Sequence, residues 1–189
     1  MPTLEVVIAS TRPGRVGLPV AEWFIAHAVG HGGFEVEVAD LVEIDLPLLD
    51  EPNHPRLRKY THQHTVEWSA RVDSSDAFAF VTPEYNYGPT AALINALSYL
   101  HYEWQYKPAG FVSYGGISAG TRGVQVAKQI VTTLKIFALP EAVSIPFVQQ
   151  FLDDDGRIQP NEIMTGAATA MLDELARVEA ALRPLRVGG

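Results

Sequence analysis

Short apolar runs that alternate with helical patterns are the feature that most limits how this chain can fold. The runs with the length and apolar content of strands are residues 4–9, 34–40, 77–81, 108–113 and 143–147. The segments with apolar residues at helical spacing are 17–29, 65–74, 90–100, 122–137 and 160–185. Five βα units of this length predict a parallel sheet with helices on both faces and right-handed crossovers. The sequence therefore predicts a doubly wound α/β fold.

The composition of single runs indicates where they lie in that sheet. Residues 77–81 are continuously apolar, which is typical of a central strand buried on both faces. Residues 34–40 alternate apolar and polar side chains, which is typical of a strand near a sheet edge. Residues 41–64 are polar and contain several prolines, so we predict mostly loop there. No linker or internal repeat divides the chain, and we expect one domain over residues 1–189.

The amino-acid composition excludes several kinds of chemistry. The chain has no cysteine, so it has no thiolate nucleophile, disulfide or iron–sulfur cluster, and any redox chemistry needs a bound cofactor. A formal net charge of −8 argues against a general nucleic-acid or anionic membrane surface. The N-terminus lacks the basic and apolar regions of a signal peptide, and no apolar run reaches the ~20 residues of a membrane span. We therefore expect a soluble cytoplasmic protein.

The loop after the first strand has the residues of an anion site. Residues 10–17 supply two hydroxyls, the guanidinium groups of Arg12 and Arg15, and backbone N–H groups at the start of a helix. The glycine fingerprints of dinucleotide and P-loop sites are absent, which favours a terminal monophosphate over a dinucleotide. Asp40, at the end of the second strand, is a weak candidate for a ribose-binding acid without that fingerprint. The alternative is a solvated loop that caps the helix.

Two further loops follow the third and fourth strands. Residues 83–89 place two tyrosines and an asparagine between prolines, and residues 113–120 contain glycines that let a ligand approach the backbone. In a doubly wound sheet the carboxyl ends of the strands meet at one edge, where ligands bind. The two loops therefore predict a site for a planar heteroaromatic ring. The alternative is ordinary turns with exposed tyrosines.

These loops resemble those of the NADPH-dependent FMN reductase family of flavodoxin-like proteins, which also includes quinone, azo-dye and chromate reductases. Members carry Gly-Ser-x-Arg-x-x-Ser after the first strand; Ser10 and Arg12 match it, and Arg15 stands at the second serine position. Residues 83–86 match the family's Pro-Glu-Tyr-Asn ring motif, and residues 113–116 match its second ring loop. The resemblance covers most of the chain. It implies a flavodoxin-like sheet of five parallel strands in the order 2-1-3-4-5.

The resemblance also implies which residues form the site. The FMN phosphate would be held by Ser10, Arg12, Arg15, Val16 and Gly17, the last of which stands where many members have asparagine. The flavin ring would lie against Pro83, Glu84, Tyr85, Asn86, Ser113, Tyr114, Gly115 and Gly116. No catalytic acid, base or nucleophile is assigned, because the cofactor carries the chemistry. Glu84 and Arg122 are candidates for an ion pair nearby.

The activity implied by the resemblance is that of an FMN-dependent NAD(P)H oxidoreductase. NADPH would pass a hydride to FMN, and the electrons would then reach a flavin, quinone or similar acceptor in a ping-pong cycle. The residues leave open the choice between NADPH and NADH and the identity of the acceptor. Because members commonly form dimers or tetramers, we expect a homodimer or homotetramer. The aromatic residues expected at a subunit contact are Tyr99, Tyr102, Trp104 and Tyr106.

Other functions are weighed against this one. A flavodoxin-like electron carrier would also bind FMN, but it would show no activity with a nicotinamide. A receiver-type regulatory protein is disfavoured, because its magnesium site requires acidic residues at the end of the first strand and residues 9–10 here are alanine and serine. His62 and His64 lack a carboxylate at ligand spacing, and residues 153–156 lack the remaining calcium ligands, so we predict no metal.

Overall fold

The chain, described by a computed structural model over residues 1–186, forms a five-stranded parallel sheet with the order β2-β1-β3-β4-β5. The strands are β1 (Thr3–Ile8), β2 (Glu35–Asp40), β3 (Ala77–Pro83), β4 (Pro108–Tyr114) and β5 (Phe137–Ile145). This order confirms the doubly wound, flavodoxin-like sheet that the sequence implied. The last three residues of the expected domain, 187–189, lie outside the described range.

Helices cover both faces of the sheet. They are α1 (Gly17–His31), α2 (Leu41–Ile44), α3 (Gln63–Ser74), α4 (Ala91–Ser98), α5 (Thr121–Thr133) and α6 (Glu162–Leu182), with 3-10 turns at Pro55–Leu57, Val148–Phe151 and Arg183–Leu185. One core cluster joins α1 and α6 to one face of the sheet, and a second joins α3, α4 and α5 to the other. Two separate cores of this kind are what a parallel sheet requires, because each of its faces is apolar.

The central strand β3 shows how the sequence divides between these cores. Phe78 and Phe80 face α3 to α5, where the ring of Trp104 lies 4.9 Å from that of Phe78. The alternating small residues, Ala77 and Ala79, face α1 and α6. Every residue of β3 is buried, whereas β2 lies at the sheet edge with exposed positions. Both predictions from the apolar pattern are confirmed.

The boundary between α5 and β5 differs from the prediction. The helix ends at Thr133 rather than at residue 137, because Lys135 adopts a left-handed backbone with φ of 57°. The strand then begins at Phe137, six residues before the predicted start at 143. Pro140 is tolerated within this strand because β5 is an edge strand and the pairing register shifts opposite this proline.

The longest helix, α6, has 21 residues and begins as the sequence predicted. The side chain of Asn161 accepts a hydrogen bond from the backbone N–H of Met164 at 2.9 Å and so caps the first turn. One face of the helix, with Met171 and Leu172, packs against the sheet. Within residues 1–186, neither this helix nor any other has the length and apolar character needed to cross a membrane.

Candidate functional site

A cavity of about 460 Å³ lies at the carboxyl ends of the strands, enclosed by four loops. We name each loop after the strand it follows: the β1 loop (9–16), the β3 loop (84–90), the β4 loop (115–120) and the β5 loop (146–152). The lining residues are Ser10, Arg12, Arg15, Val16, Pro83, Glu84, Tyr85, Tyr114, Gly115, Gly116, Phe147, Val148, Gln149 and Gln150. Ten of the thirteen residues proposed from the sequence are among them; Gly17, Asn86 and Ser113 adjoin the cavity along the chain.

In the β1 loop, the guanidinium of Arg15 is paired with Asp40 at the end of β2. Arg15 Nη1 donates to Asp40 Oδ1 at 2.6 Å, Nη2 contacts Oδ2, and Nη1 also donates to the carbonyl of Ser10 at 2.7 Å. Burial alone would raise the pKa of Asp40, but the hydrogen bonds from Arg15 lower it below its ordinary value. The arginine fork that the sequence assigned to a phosphate is therefore engaged with a carboxylate. Within residues 1–186, Arg12 is the guanidinium of this loop that has no ion-pair partner.

Two hydroxyl groups lie at the start of α1. Ser10 is 1% exposed, and among the described residues its Oγ has no hydrogen-bond partner. A Cβ atom on Gly17 would overlap both Ser10 Oγ and Tyr114 Oη. Glycine at this position therefore lets both hydroxyls come close to the backbone at the helix start. Burial raises the pKa of Tyr114 to about 12, so its phenol is protonated at neutral pH.

The β3 loop contains a tight turn that presents Tyr85 to the cavity. The backbones of Tyr85 and Gly88 exchange two hydrogen bonds, of 2.9 and 3.0 Å. The two residues between them, Asn86 and Tyr87, have φ of 52° and 70°. These signs are those of a type I′ turn, which tolerates asparagine well and tyrosine less well. The predicted ring motif therefore forms a strained turn rather than an open loop.

The β3 and β4 loops are joined by an inter-loop cluster of Glu84, Tyr87, Ser118 and Arg122. Arg122 Nε donates to Glu84 Oε1 at 2.7 Å, its backbone N–H donates to Oε2 at 3.1 Å, and its Nη2 donates to Ser118 Oγ at 2.8 Å. The guanidinium also stacks on Tyr87, 3.9 Å from the ring centre. Burial would raise the pKa of Glu84, but Arg122 keeps it below its ordinary value. The expected ion pair of Glu84 and Arg122 is confirmed.

The β5 loop forms a wall of the cavity that the sequence analysis missed. The backbone N–H groups of Phe147 and Val148 donate to the carbonyls of Gly116 and Gly115, both at 3.1 Å. Phe147 is 48% exposed at the cavity and has φ of 46°. The signal was available, because this loop follows a parallel strand at the same edge as the others. It was hidden by placing residue 147 inside the last strand.

Ser113, a proposed site residue, and the two histidines weighed as metal ligands have other surroundings. Ser113 is buried near the end of β4, and within residues 1–186 its Oγ has no hydrogen-bond partner. The histidines weighed as metal ligands are part of other contacts: the rings of His62 and His64 stack 5.2 Å apart, and His64 Nε2 lies 3.0 Å from Asp50 Oδ1. In the described part of the chain, no group of three or more histidines and carboxylates is arranged to hold a metal.

Known proteins are similar to this chain in sequence and in fold. A model of the family described as NADPH-dependent FMN reductase matches residues 2–150. An NAD(P)H-dependent FMN reductase of Schizosaccharomyces pombe is 36% identical over 149 residues, which are 77% of this chain and 74% of that protein. An NAD(P)H:quinone oxidoreductase of Solanum tuberosum is 31% identical over 137 residues, 69% of this chain and 68% of that protein. The structure of FerB, a flavoenzyme NAD(P)H:(acceptor) oxidoreductase from Paracoccus denitrificans, covers 96% of this chain and 98% of its own, with TM-score 0.76 and 20% identity.

Proposed function

Because this chain belongs to the NADPH-dependent FMN reductase family, we propose that it reduces a flavin, a quinone or a similar acceptor by way of FMN bound in the four-loop cavity. The chain is an oxidoreductase, with FMN as cofactor and NAD(P)H as electron donor. The observation that carries the proposal is a cavity at the carboxyl ends of the strands with a buried hydroxyl, Ser10 Oγ, that has no hydrogen-bond partner in the described part of the chain and lies at the start of α1. Doubly wound folds bind their ligands at this edge.

The residues present fit the phosphate of FMN. The first turn of α1 has no acidic residue, and within residues 1–186 it has no side-chain cap. Pro19 has no N–H group and that of Val20 donates to the carbonyl of Val16, so the N–H groups of Gly17 and Leu18 are the ones available to an anion. Arg12 and Ser10 both line the cavity. The partial positive charge of a helix N-terminus adds to the charge of the guanidinium. Arg15 contributes indirectly in this proposal, because its guanidinium holds the Ser10 carbonyl and Asp40.

The fit to the flavin ring rests on the β3 and β4 loops. Pro83, Tyr85 and Asn86 would give one side of the ring site, and the backbone of Gly115 and Gly116 would give donors for its polar edge. Ser113 would support the β4 loop from below, and Glu84 would position the β3 loop by holding Arg122. When bound, FMN supplies two-electron chemistry, taking a hydride from NAD(P)H and passing electrons to a second substrate in a ping-pong cycle.

The choice of acceptor follows from the aromatic rim of the cavity. Tyr85 and Phe147 line the cavity and are 42% and 48% exposed, so both present ring surface to an incoming molecule. Aromatic surface of this kind favours planar partners that stack, such as a quinone or a second flavin. One open side would serve NAD(P)H and the acceptor in turn.

We propose a homodimer or homotetramer, with a contact different from the aromatic cluster expected from the sequence. Tyr99 and Trp104 are fully buried within their own chain, so the prediction that they lie at a subunit contact is wrong. Leu48 is 83% exposed, Leu49 44% and Ile94 40%. The backbone N–H of Leu49 donates to the side chain of Asn95 at 3.0 Å, which places these residues next to α4. This apolar patch supports a subunit contact, and light scattering after size exclusion measures the assembly.

The test is an anaerobic absorbance spectrum of the protein reconstituted with FMN, recorded before and after NADPH is added. We expect FMN to bind and its visible absorption band to disappear on mixing, and a quinone to restore the band. Binding without bleaching by NADPH or NADH would contradict the proposal and favour the electron carrier. No FMN binding at all would contradict the assignment of all four loops.

A further inference from the structure

Tyr114 extends from the fourth strand toward the first helix. It is the last residue of β4, whereas Gly17 begins α1 directly after the β1 loop, and β3 lies between β1 and β4 in the sheet. Neighbouring strands are roughly 4.8 Å apart, so a residue must have a long side chain to reach across β3. The phenol makes that reach, because a Cβ atom on Gly17 would overlap its Oη. A residue of the second ring motif is thus placed beside the start of α1.

Three donors of different kinds converge there. Tyr114 Oη and Ser10 Oγ both lie against Gly17, and within the described residues the N–H groups of Gly17 and Leu18, in the first turn of α1, have no side-chain cap. Both side chains line the cavity. Within residues 1–186 Ser10 Oγ is buried and makes no hydrogen bond of normal geometry, although the phenol of Tyr114 is close enough for the Ser10 hydroxyl to lower its pKa. A buried hydroxyl without a partner is costly, and such a group indicates a ligand that completes it.

We propose that Tyr114 is a phosphate-binding residue: its hydroxyl and that of Ser10 donate to the terminal phosphate of FMN, and Gly17 lacks a side chain so that both can reach it. This inference rests on the proposed function, because it assumes that FMN occupies the cavity. It changes the role that the sequence motif implied for Tyr114, from the ring to the phosphate.

The electrostatics of the β1 loop explain why a hydroxyl is needed. The charge of Arg15 is balanced by Asp40, so within the described residues Arg12 is the loop's one guanidinium without an ion-pair partner. A phosphate dianion then requires neutral donors besides that cation and the helix N-terminus. The phenol of Tyr114 keeps its proton throughout the neutral range, as an ordinary tyrosine does, and burial raises its pKa further, to about 12.

The experiment compares two ligands that differ by the phosphate group alone. FMN carries it and riboflavin does not, so the ratio of their dissociation constants isolates the phosphate contact. For Tyr114→Phe we expect the dissociation constant of FMN, measured by quenching of flavin fluorescence, to rise about 10- to 100-fold, as for the loss of a hydrogen bond to a charged group. The dissociation constant of riboflavin should stay unchanged. Tyr106→Phe is the matched control, because its hydroxyl contacts Lys135 before β4 begins, at the opposite edge of the sheet.

A second pair of variants tests the space at the helix start. Gly17→Ala should raise the dissociation constant of FMN by a similar factor, because the new methyl group displaces both hydroxyls. Gly30→Ala, in the last turn of the same helix with nothing within 4 Å, should bind FMN as the wild type does. Circular dichroism of each apoprotein shows that the variants are folded.

The outcomes separate this inference from the proposed function. Equal weakening of FMN and riboflavin by Tyr114→Phe would overturn the phosphate role and return Tyr114 to the ring. Unchanged binding of both ligands would also overturn it, while FMN binding by the wild type would leave the proposed function standing. A wild-type protein that binds neither ligand would overturn the proposed function and this inference together.

Discussion

Gly123, in the first turn of α5, is the position where a single methyl group tests how closely the β3 loop must pack against α5. A Cβ atom there would lie 2.8 Å from the carbonyl oxygen of Gly88 and 2.9 Å from Cβ of Glu84, about 0.6 Å inside ordinary contact. Both neighbours belong to the β3 loop, and one of them is backbone, so they do not simply rotate away. Gly123→Ala must therefore strain the loop or displace it.

The size of the effect follows from two opposing contributions. Overpacking of this kind costs about 1–3 kcal/mol. Alanine in a helix gains up to about 1 kcal/mol over glycine. If the β3 loop stays in place, the strain lowers the free energy of unfolding. If the loop moves, the strain is released and FMN affinity falls instead, by about 5- to 150-fold for 1–3 kcal/mol.

The assay measures both quantities on the same protein. Urea unfolding of the apoprotein gives the free energy of unfolding, and fluorescence titration gives the dissociation constant of FMN. Gly166→Ala is the matched control, because it lies in α6 with nothing within 4 Å of the new methyl group, and it should gain about 1 kcal/mol with unchanged affinity. We expect the two losses of Gly123→Ala, counted relative to this control, to total about 1–3 kcal/mol. If Gly123→Ala matches the control in both measurements, the β3 loop does not need this close contact with α5 and the reasoning is refuted.

Three further predictions concern charged groups. Asp40→Asn should lower the free energy of unfolding by about 3 kcal/mol at neutral pH, because Arg15 loses its charged partner in a largely buried pair. Folding lowers the pKa of the Asp40 carboxylate, so the difference in free energy between wild type and variant should shrink as acid protonates that carboxylate. Burial would raise the pKa of Glu51, but backbone N–H donors lower it from an ordinary 4.5 to about 2. The contribution of this carboxylate to stability should therefore be present above pH 4.5 and lost as the pH falls toward 2. If unfolding of Glu51→Gln shows the same acid dependence as unfolding of the wild type, this prediction is contradicted. Burial lowers the pKa of Lys107 from 10.5 to about 8, so between pH 8 and pH 10.5 the unfolded chain holds a proton that the folded chain releases. The free energy of unfolding of the wild type, relative to that of Lys107→Met, should therefore rise by about 3 kcal/mol over this pH range. A difference between the two proteins that does not change with pH in urea unfolding would refute the shift.

The sheet and most of its helices were predictable because apolar pattern and burial coincide. Residues 77–81 are apolar at every position, and β3 is buried at every position, so the pattern alone gave its central place. The start of β5 was not predictable in this way. The apolar pattern of α5 continues through Phe137 and Leu139 and is interrupted at Pro140. The strand forms because the edge of β4 is available for pairing, with a register that shifts opposite the proline. That edge is a property of the tertiary structure, which local pattern does not contain.

The candidate site was predictable as a set of loops but not as a set of contacts. Parallel strands bring their carboxyl ends together, so the β1, β3 and β4 loops had to meet. Which side chain meets which depends on distances of a few ångströms between residues far apart in sequence. Arg15 lies on Asp40, 25 positions away, and Tyr114 lies beside Gly17, 97 positions away, and neither pairing leaves a mark in the local sequence.

Those pairings change what kind of site the chain builds. Of the three arginines near the cavity, Arg15 is paired with Asp40 and Arg122, as expected, with Glu84, so two of the three positive charges are balanced within the protein. Ion pairs of this kind contribute by fixing geometry, since their charge is already neutralised. The β1 loop is held to β2 and the β3 loop to α5, and the donors proposed for an anion are Arg12, the two hydroxyls and the first turn of α1. A cofactor that brings its own reactivity needs rigid loops and a few well-placed donors, and the residues proposed for FMN would supply both.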